Sequence, residues 1–384
     1  MRHFLFLLAL LALGCREGPA PFSLENEAPD SSGRLTFSVK PDRVPAWSEN
    51  ADSVYFAAAP YPGLPTSPGL LVAISRAGGT TRAILPSIQS GVASGPWLTA
   101  PAFSNDGSSI AFFELTDVAV ETTCNAIFCP FEPEVNPTDT TGTSSSLVQA
   151  VLRVRKVANT SVADDASLTV PFEGRPADWR MLTFMSNVAF PFQKAYERHG
   201  LPVFRASWAP DGTKLVFSDG LNLRVWTIGQ NTTVIIPGTD DGVLPAWSPD
   251  GNWIAFTKLF RGPVQNIVCF CVAPGASTPY PRYDRTIYSG GSREDGELML
   301  VRPDGSELKP LGLGEAPAWT PDSRTIVAHR DFRLFRITVE SEAASEIPNT
   351  LNGFEPAISR DGRWLAFVKI AGPELNPDIW VVPF

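Results

Sequence analysis

One hairpin recurs six times along this chain, and that repeat restricts the fold more than any other feature. The copies read VPAWSENADSVYFA at 44–57, APAFSNDGSSIAFF at 100–113 and RASWAPDGTKLVFS at 205–218. They continue with LPAWSPDGNWIAFT at 244–257, APAWTPDSRTIVAH at 316–329 and EPAISRDGRWLAFV at 355–368. Each is a short strand ending in an aromatic residue (Ile358 in the last copy), a Pro-Asp-Gly-type turn, and a strand of apolar alternation. Pro presets φ near −65°, Asp bonds its own backbone, and Gly accepts positive φ, so the turn is written into the residues. Period-2 apolar positions such as Ile254 and Phe256 mark one buried face. Two more strands follow each hairpin, for example LRVWTI and TTVIIP within 223–237. Four antiparallel strands repeated six times predict an all-β, six-bladed β-propeller.

Composition agrees. The 384 residues include 36 Pro and 30 Gly, which excludes a long-helix protein. A hydrophobic share of 43% supports a sizeable core, and a net charge of −9 argues against nucleic-acid binding. Only 3 His are present, His3, His199 and His329, so a multi-His metal centre is not expected.

The xPxWSPDGxxIAF form, closest to ideal in PAWSPDGNWIAFTK at 245–258, resembles the TolB-type, WD-like propeller repeat, and the resemblance covers 34–384. It implies six blades. TolB itself carries an α/β domain before its propeller and no lipid anchor, so its role is not carried over. Two turns depart from the pattern: Asn50-Ala51 replaces Asp-Gly in the first, and Ser323 replaces Gly in the fifth. The last unit supplies three strands, ending in DIWVVPF, and RLTFSV at 34–39 belongs to no other unit. This segment is expected to complete the sixth blade, burying Leu35, Phe37 and Val39 on one face.

The N-terminus reads MRHFLFLLALLALGC. Arg2 followed by ten apolar residues is a signal-peptide pattern, too short for a transmembrane helix. Gly14-Cys15 after that run resembles a bacterial lipobox, which implies lipidation at Cys15, residues 1–14 as signal peptide and 15–33 as a flexible tether. The location implied is the cell envelope, at the outer membrane facing the periplasm, with membrane contact by the lipid alone.

The spacing of 39 residues between Trp208 and Trp247 sets the basic unit. Longer gaps expose insertions at about 115–146, 174–203 and 259–295. Strand alternation puts all three on one face of the propeller, where a rigid scaffold displays binding loops. Residues 176–198 suggest a helix broken near Pro191. The insertions hold Cys124, Cys129, Cys269 and Cys271, for which disulfides across the two insertions are favoured over local pairs, with free thiols or a zinc site the remaining alternatives. They also hold the candidate partner-binding aromatics Phe128, Trp179, Phe192, Tyr196, Tyr280 and Tyr283; packing against the propeller explains the same residues.

No G-x-S-x-G elbow and no phosphate-binding glycine loop occurs in these residues. The turn carboxylates Asp106, Asp211, Asp250, Asp322 and Asp361 are explained by their turn position. The expectation is a monomeric, non-enzymatic envelope propeller without cofactor or metal, binding a protein partner through its decorated face. Glycan, peptide or small-molecule binding at the channel mouth, or a carboxylate-based hydrolase or lyase, is the alternative.

Overall fold

The computed structural model describes residues 33–37, 42–58, 70–84, 97–120, 126–128, 145–157, 165–170, 205–219, 222–258, 264–272, 280–288, 296–330, 333–370 and 377–384. Among them every regular element is a strand. Blade 1 is β1 (Asp42–Trp47), β2 (Ser53–Ala58), β3 (Leu70–Ser75) and β4 (Arg82–Ala83). Blade 2 is β5 (Trp97–Phe103), β6 (Ser109–Val120), β8 (Ser145–Lys156) and β9 (Ala166–Thr169), with β7 (Ala126–Phe128) between β6 and β8. Blade 3 is β10 (Ala206–Trp208), β11 (Lys214–Ser218), β12 (Leu223–Thr227) and β13 (Thr233–Ile235). Blade 4 is β14 (Gly242–Trp247), β15 (Ile254–Lys258), β18 (Glu297–Val301) and β19 (Lys309–Leu313), interrupted by β16 (Val264–Val272) and β17 (Tyr280–Tyr288). Blade 5 is β20 (Glu315–Trp319), β21 (Thr325–Arg330), β22 (Arg333–Thr338) and β23 (Ala344–Glu346). Blade 6 has β24 (Gly353–Ile358), β25 (Trp364–Ile370) and β26 (Pro377–Pro383). The innermost strands touch in a closed cycle, β1, β5, β10, β14, β20, β24 and back to β1. The molecule is a six-bladed β-propeller.

The N-terminal segment closes the ring, over a shorter stretch than its alternation predicts. Arg34 bridges Trp380, Leu35 N–H donates to Ile379 O (2.8 Å), and Val381 N–H donates to Gly33 O (2.7 Å). Leu35 and Thr36 are buried, but Phe37 is 66% exposed. The expected burial of Phe37 with Leu35 is therefore corrected. Phe37 instead lies under the Arg34 guanidinium at 4.6 Å. Thr36 is anchored by donating to Asp378 Oδ1 (3.1 Å) and accepting from Ile379 N–H (3.0 Å), and among the described residues of this segment it is the last to pair. Val39 lies outside the described residues.

The turns follow the sequence chemistry. In blade 4, Ser248 Oγ donates to Asp250 Oδ1 (2.6 Å), Asn252 N–H donates to the same oxygen (3.0 Å), and Gly251 takes φ 77°. Ala51 and Ser323, the two departures, hold φ 56° and 58°. The turn geometry thus survives without glycine, at about 1 kcal/mol per residue forced left-handed.

Blade interfaces alternate in size. Trp47 Nε1–H donates to Ala357 O (3.0 Å), Trp208 to Ala102 O (2.9 Å) and Trp319 to Ala246 O (2.9 Å). Each odd blade is thus clipped to the blade before it. Among the described residues, the clusters of buried apolar residues centred on those interfaces are the larger ones, with 17, 14 and 9 members including some from the axis, against 5, 7 and 6 for the other three. Trp247 of blade 4 is only partly buried and bonds its own turn at Gly251 O (3.3 Å).

Candidate functional site at the channel mouth

Six equivalent positions lie three residues before the aromatic that ends each innermost strand (Ile358 in blade 6), and five of them are bulges. The positions are Val44, Ala100, Arg205, Leu244, Ala316 and Glu355, and all but Arg205 hold φ between 51° and 54°. In those five blades the register shifts across this residue and the Pro that follows it. A left-handed non-glycine residue costs about 1–3 kcal/mol, so five copies mark a designed feature of the inner strand. Its effect is visible in the packing. Leu244 and Ala316 join the cluster of blades 6 and 1, and Val44 joins that of blades 2 and 3. These side chains therefore meet near the axis and fill it with a buried apolar ring.

Two of the six positions are charged, and they sit on opposite blades. Glu355 of blade 6 is buried and fully engaged. Arg43 donates through Nη2 to its Oε1 (2.5 Å) and through Nε to Oε1 (3.1 Å) and Oε2 (3.3 Å). Val44 N–H donates to Oε2 (2.7 Å). Arg205 of blade 3 reaches across the axis and donates from Nη2 to Pro356 O at 3.4 Å. Burial pulls the Arg205 guanidinium below the usual arginine range, and the Glu355 charge pulls the other way. The trio thus carries one net positive charge.

Further charges surround this level. The Arg43 guanidinium lies 5.1 Å from the Phe354 ring, and His329 meets that ring edge-on at 6.5 Å. His329 Nδ1 is 3.8 Å from Glu315 Oε2, while Gly296 N–H donates to Glu315 Oε1 (2.8 Å). Asp378 accepts from Arg34 Nη2 (2.6 Å), and Lys369 packs 4.8 Å from the Trp380 ring. All lie near the strand ends opposite the Asp turns, on the face that carries the insertions. At the turn end, Arg360 Nη2 of blade 6 donates to Ser104 O of blade 2, which narrows the axis there.

The first and third insertions come together. Residues Ala126–Phe128 of β7 pair with β16, with Phe128 opposite Phe270 and Ile127 opposite Cys271, and β16 pairs with β17. The result is a three-stranded sheet, β17-β16-β7, linking the connections of blades 2 and 4. Phe128, Tyr280, Tyr283, Cys269 and Cys271 thus share one sheet, with Cys269 opposite Tyr283 and Cys271 opposite Tyr280. Cys15, Cys124, Cys129, Trp179, Phe192, Tyr196 and His199, and the helix expected within 176–198, lie outside the described residues. Blade strands also absorb the edges of the first insertion, since β6 runs to Val120 and pairs it with Ser145. Among the described residues no cluster of three His, Cys, Asp or Glu side chains is placed to hold a metal ion.

Arg43, Arg205 and Glu355 escaped attention in the sequence. The signal was present: at the third position before the aromatic the repeats read Val, Ala, Arg, Leu, Ala, Glu, and only two are charged. Nothing in the repeat indicates that these two face each other.

No family model matches the chain. A curated relative, the uncharacterized peptidase YuxL of Bacillus subtilis, is 22% identical over 185 residues, 42% of this chain and 28% of its own length. The chain therefore spans under a third of the relative it matches. Among solved structures, TolB from Acinetobacter baumannii is similar at 14% identity and TM-score 0.45, covering 84% of this chain and 58% of that one. A putative TolB from Agrobacterium tumefaciens gives 13% and 0.45 over 91% of this chain and 92% of that one. A puromycin-hydrolyzing peptidase from Mycobacterium tuberculosis gives 12% and 0.43 over 92% and 54%. The match to a peptidase corrects the expectation of a non-enzymatic chain. That expectation rested on motifs missing from these 384 residues, and a motif search does not see a site assembled from residues distant in sequence.

Proposed function

We propose that this propeller receives a polypeptide at its insertion-bearing face, with the channel mouth as the inner end of the site. The observation that carries this reading is the pairing of β7 with β16, which joins two insertions on the face where the buried charges surround the axis. A rigid ring presenting a joined sheet rich in Tyr and Phe is suited to capturing a partner chain. In this reading the partner is a protein of the cell envelope. The chain is held there by lipid on Cys15 through the tether 16–33, at the outer membrane and facing the periplasm. Cys15→Ser then releases it from washed membranes.

A second reading is favoured by the peptidase match: the polypeptide is a substrate and is hydrolysed. One experiment addresses both. A photo-crosslinking residue replaces Tyr283 in β17 or Val234, which is 71% exposed in the outer strand of blade 3. Crosslinks to a defined polypeptide from position 283 and not from 234 are expected. Equal labelling at the two positions would sink the polypeptide-receiving face. Incubating the captured polypeptide with the full chain and following its cleavage by mass spectrometry separates partner from substrate.

A further inference from the structure

We propose that Arg205 anchors a carboxylate on the propeller axis, and that the ligand is a peptide bearing a free C-terminal carboxylate. The inference rests on the polypeptide-receiving reading and deepens it by naming the chemical group that the axis recognises.

The argument begins with donors. A guanidinium has five N–H donors in a planar fork that matches a carboxylate. Among the described residues Arg205 uses one, at 3.4 Å, which is long for an N–H···O bond. The nearby carboxylate is already committed, because both oxygens of Glu355 accept from Arg43 and one also accepts from Val44 N–H. Two guanidinium groups thus share one carboxylate, and the one left over lies deep on the axis. An arginine stays protonated even where burial disfavours its charge, so an incoming anion relieves the cost directly.

The shape of the axis selects a chain end. Val44, Ala100, Leu244 and Ala316 are all buried and occupy the other ring positions. A polypeptide cannot thread past this plug, and a loop is two chains wide. A terminus fits a blind channel. The negative C-terminus matches Arg205, whereas an N-terminal ammonium would be repelled. Placement adds a route of entry. Blade 3 carries Arg205, and the β7–β16 pairing joins blades 2 and 4 on either side of it.

The test uses the full chain and three probes: N-acetyl-Ala-Ala with a free carboxylate, the same peptide as its C-terminal amide, and N-acetyl-Glu amide. Binding is read by titration calorimetry and by the shift in melting temperature. The free acid is expected to bind at least tenfold tighter than either amide. Arg205→Gln should abolish the preference, and Arg205→Lys, which keeps charge without the fork, should retain part of it. If Arg205→Gln does not fold, the Lys variant and the three-probe comparison on the unaltered chain decide. Equal affinity for acid and amide, an undiminished preference in folded Arg205→Gln, or no binding of any probe to the unaltered chain overturns the anchor. Tight binding of N-acetyl-Glu amide overturns the chain-end assignment, since a side-chain carboxylate then serves as well. Failure of the wider reading shows elsewhere, as equal crosslinking from positions 283 and 234.

Discussion

At the turn between its two inner strands, a blade holds its carboxylate mainly with hydroxyl and amide donors. Asp361 accepts from Ser359 Oγ (2.6 Å) and from Arg363 N–H (3.1 Å). Chiefly through the Ser359 bond, its pKa is lowered from 3.8 to about 2. Asp106, Asp211 and Asp322 are lowered by the same kind of donors. A carboxyl group whose folded pKa is depressed stabilises the fold above its unfolded pKa, and the contribution is lost as pH falls through the folded value. Stability should therefore drop as pH falls below about 4, with the Asp361 share lost as pH nears 2 and the Asp106 share lost after it. Asp361→Asn keeps an acceptor but removes the titration, so its urea midpoint should fall less over that window than that of the unaltered chain. An identical pH slope would mean that this turn does not contribute. The same scale explains the inner strand. Pro after the bulged residue fixes its own φ, and the left-handed residue before it turns a side chain to the axis. At this level Glu355 of blade 6 holds the bulged position, and Arg205 of blade 3 holds the equivalent position without the left-handed φ.

Among elements, the closing segment is the shortest and the most exposed to test. Gly33–Thr36 bridges the outer edge of β26 in the place of a fourth strand, and it brings Arg34 and Thr36 onto the buried Asp378. Deleting 34–37 removes the burial of Leu35, the edge pairing and two partners of Asp378 together. Each is a recognised source of large effects, and a loss of roughly 3–5 kcal/mol is expected. Deleting 16–32 instead should change the stability by less than about 0.5 kcal/mol, as for surface changes. Comparing the two truncations by urea unfolding and by sedimentation checks this. Matched midpoints and monomeric behaviour of both would show that the ring does not close here. The element that joins the insertions is different in kind. β7 is a three-residue strand, and its partner β16 belongs to another blade.

The whole molecule reads as three blade pairs, 6 with 1, 2 with 3 and 4 with 5. Each pair shares a tryptophan clip and the larger apolar cluster. Trp319→Phe keeps most of the ring and loses the N–H bond to Ala246, so it should cost about 1 kcal/mol or somewhat more for the lost volume. Trp319→Ala should cost about 3–5 kcal/mol, as for a buried large-to-small change. Trp247→Phe should cost less than Trp319→Phe, because Trp247 is partly exposed and its indole N–H donates to its own turn. Chemical denaturation of the three variants ranks them. Equal losses at 247 and 319 would dissolve the pairing and leave six equivalent interfaces.

By itself the sequence determined the number of blades, the strands in them, the turn at each inner hairpin and the segment that closes the ring. These are local properties. Turn chemistry acts within about four residues and alternation within one strand, so each repeat states them again. The departures at Ala51 and Ser323 did not disturb them, since the flanking strands impose the turn. Tertiary structure alone decided which repeats became partners. Arg205 and Glu355 are 150 positions apart, and they meet because six blades put the third opposite the sixth. The clip from odd to even blades, the exit of Phe37 to the surface and the union of two insertions depend likewise on contacts between distant segments. No local pattern encodes a neighbour that only ring closure supplies.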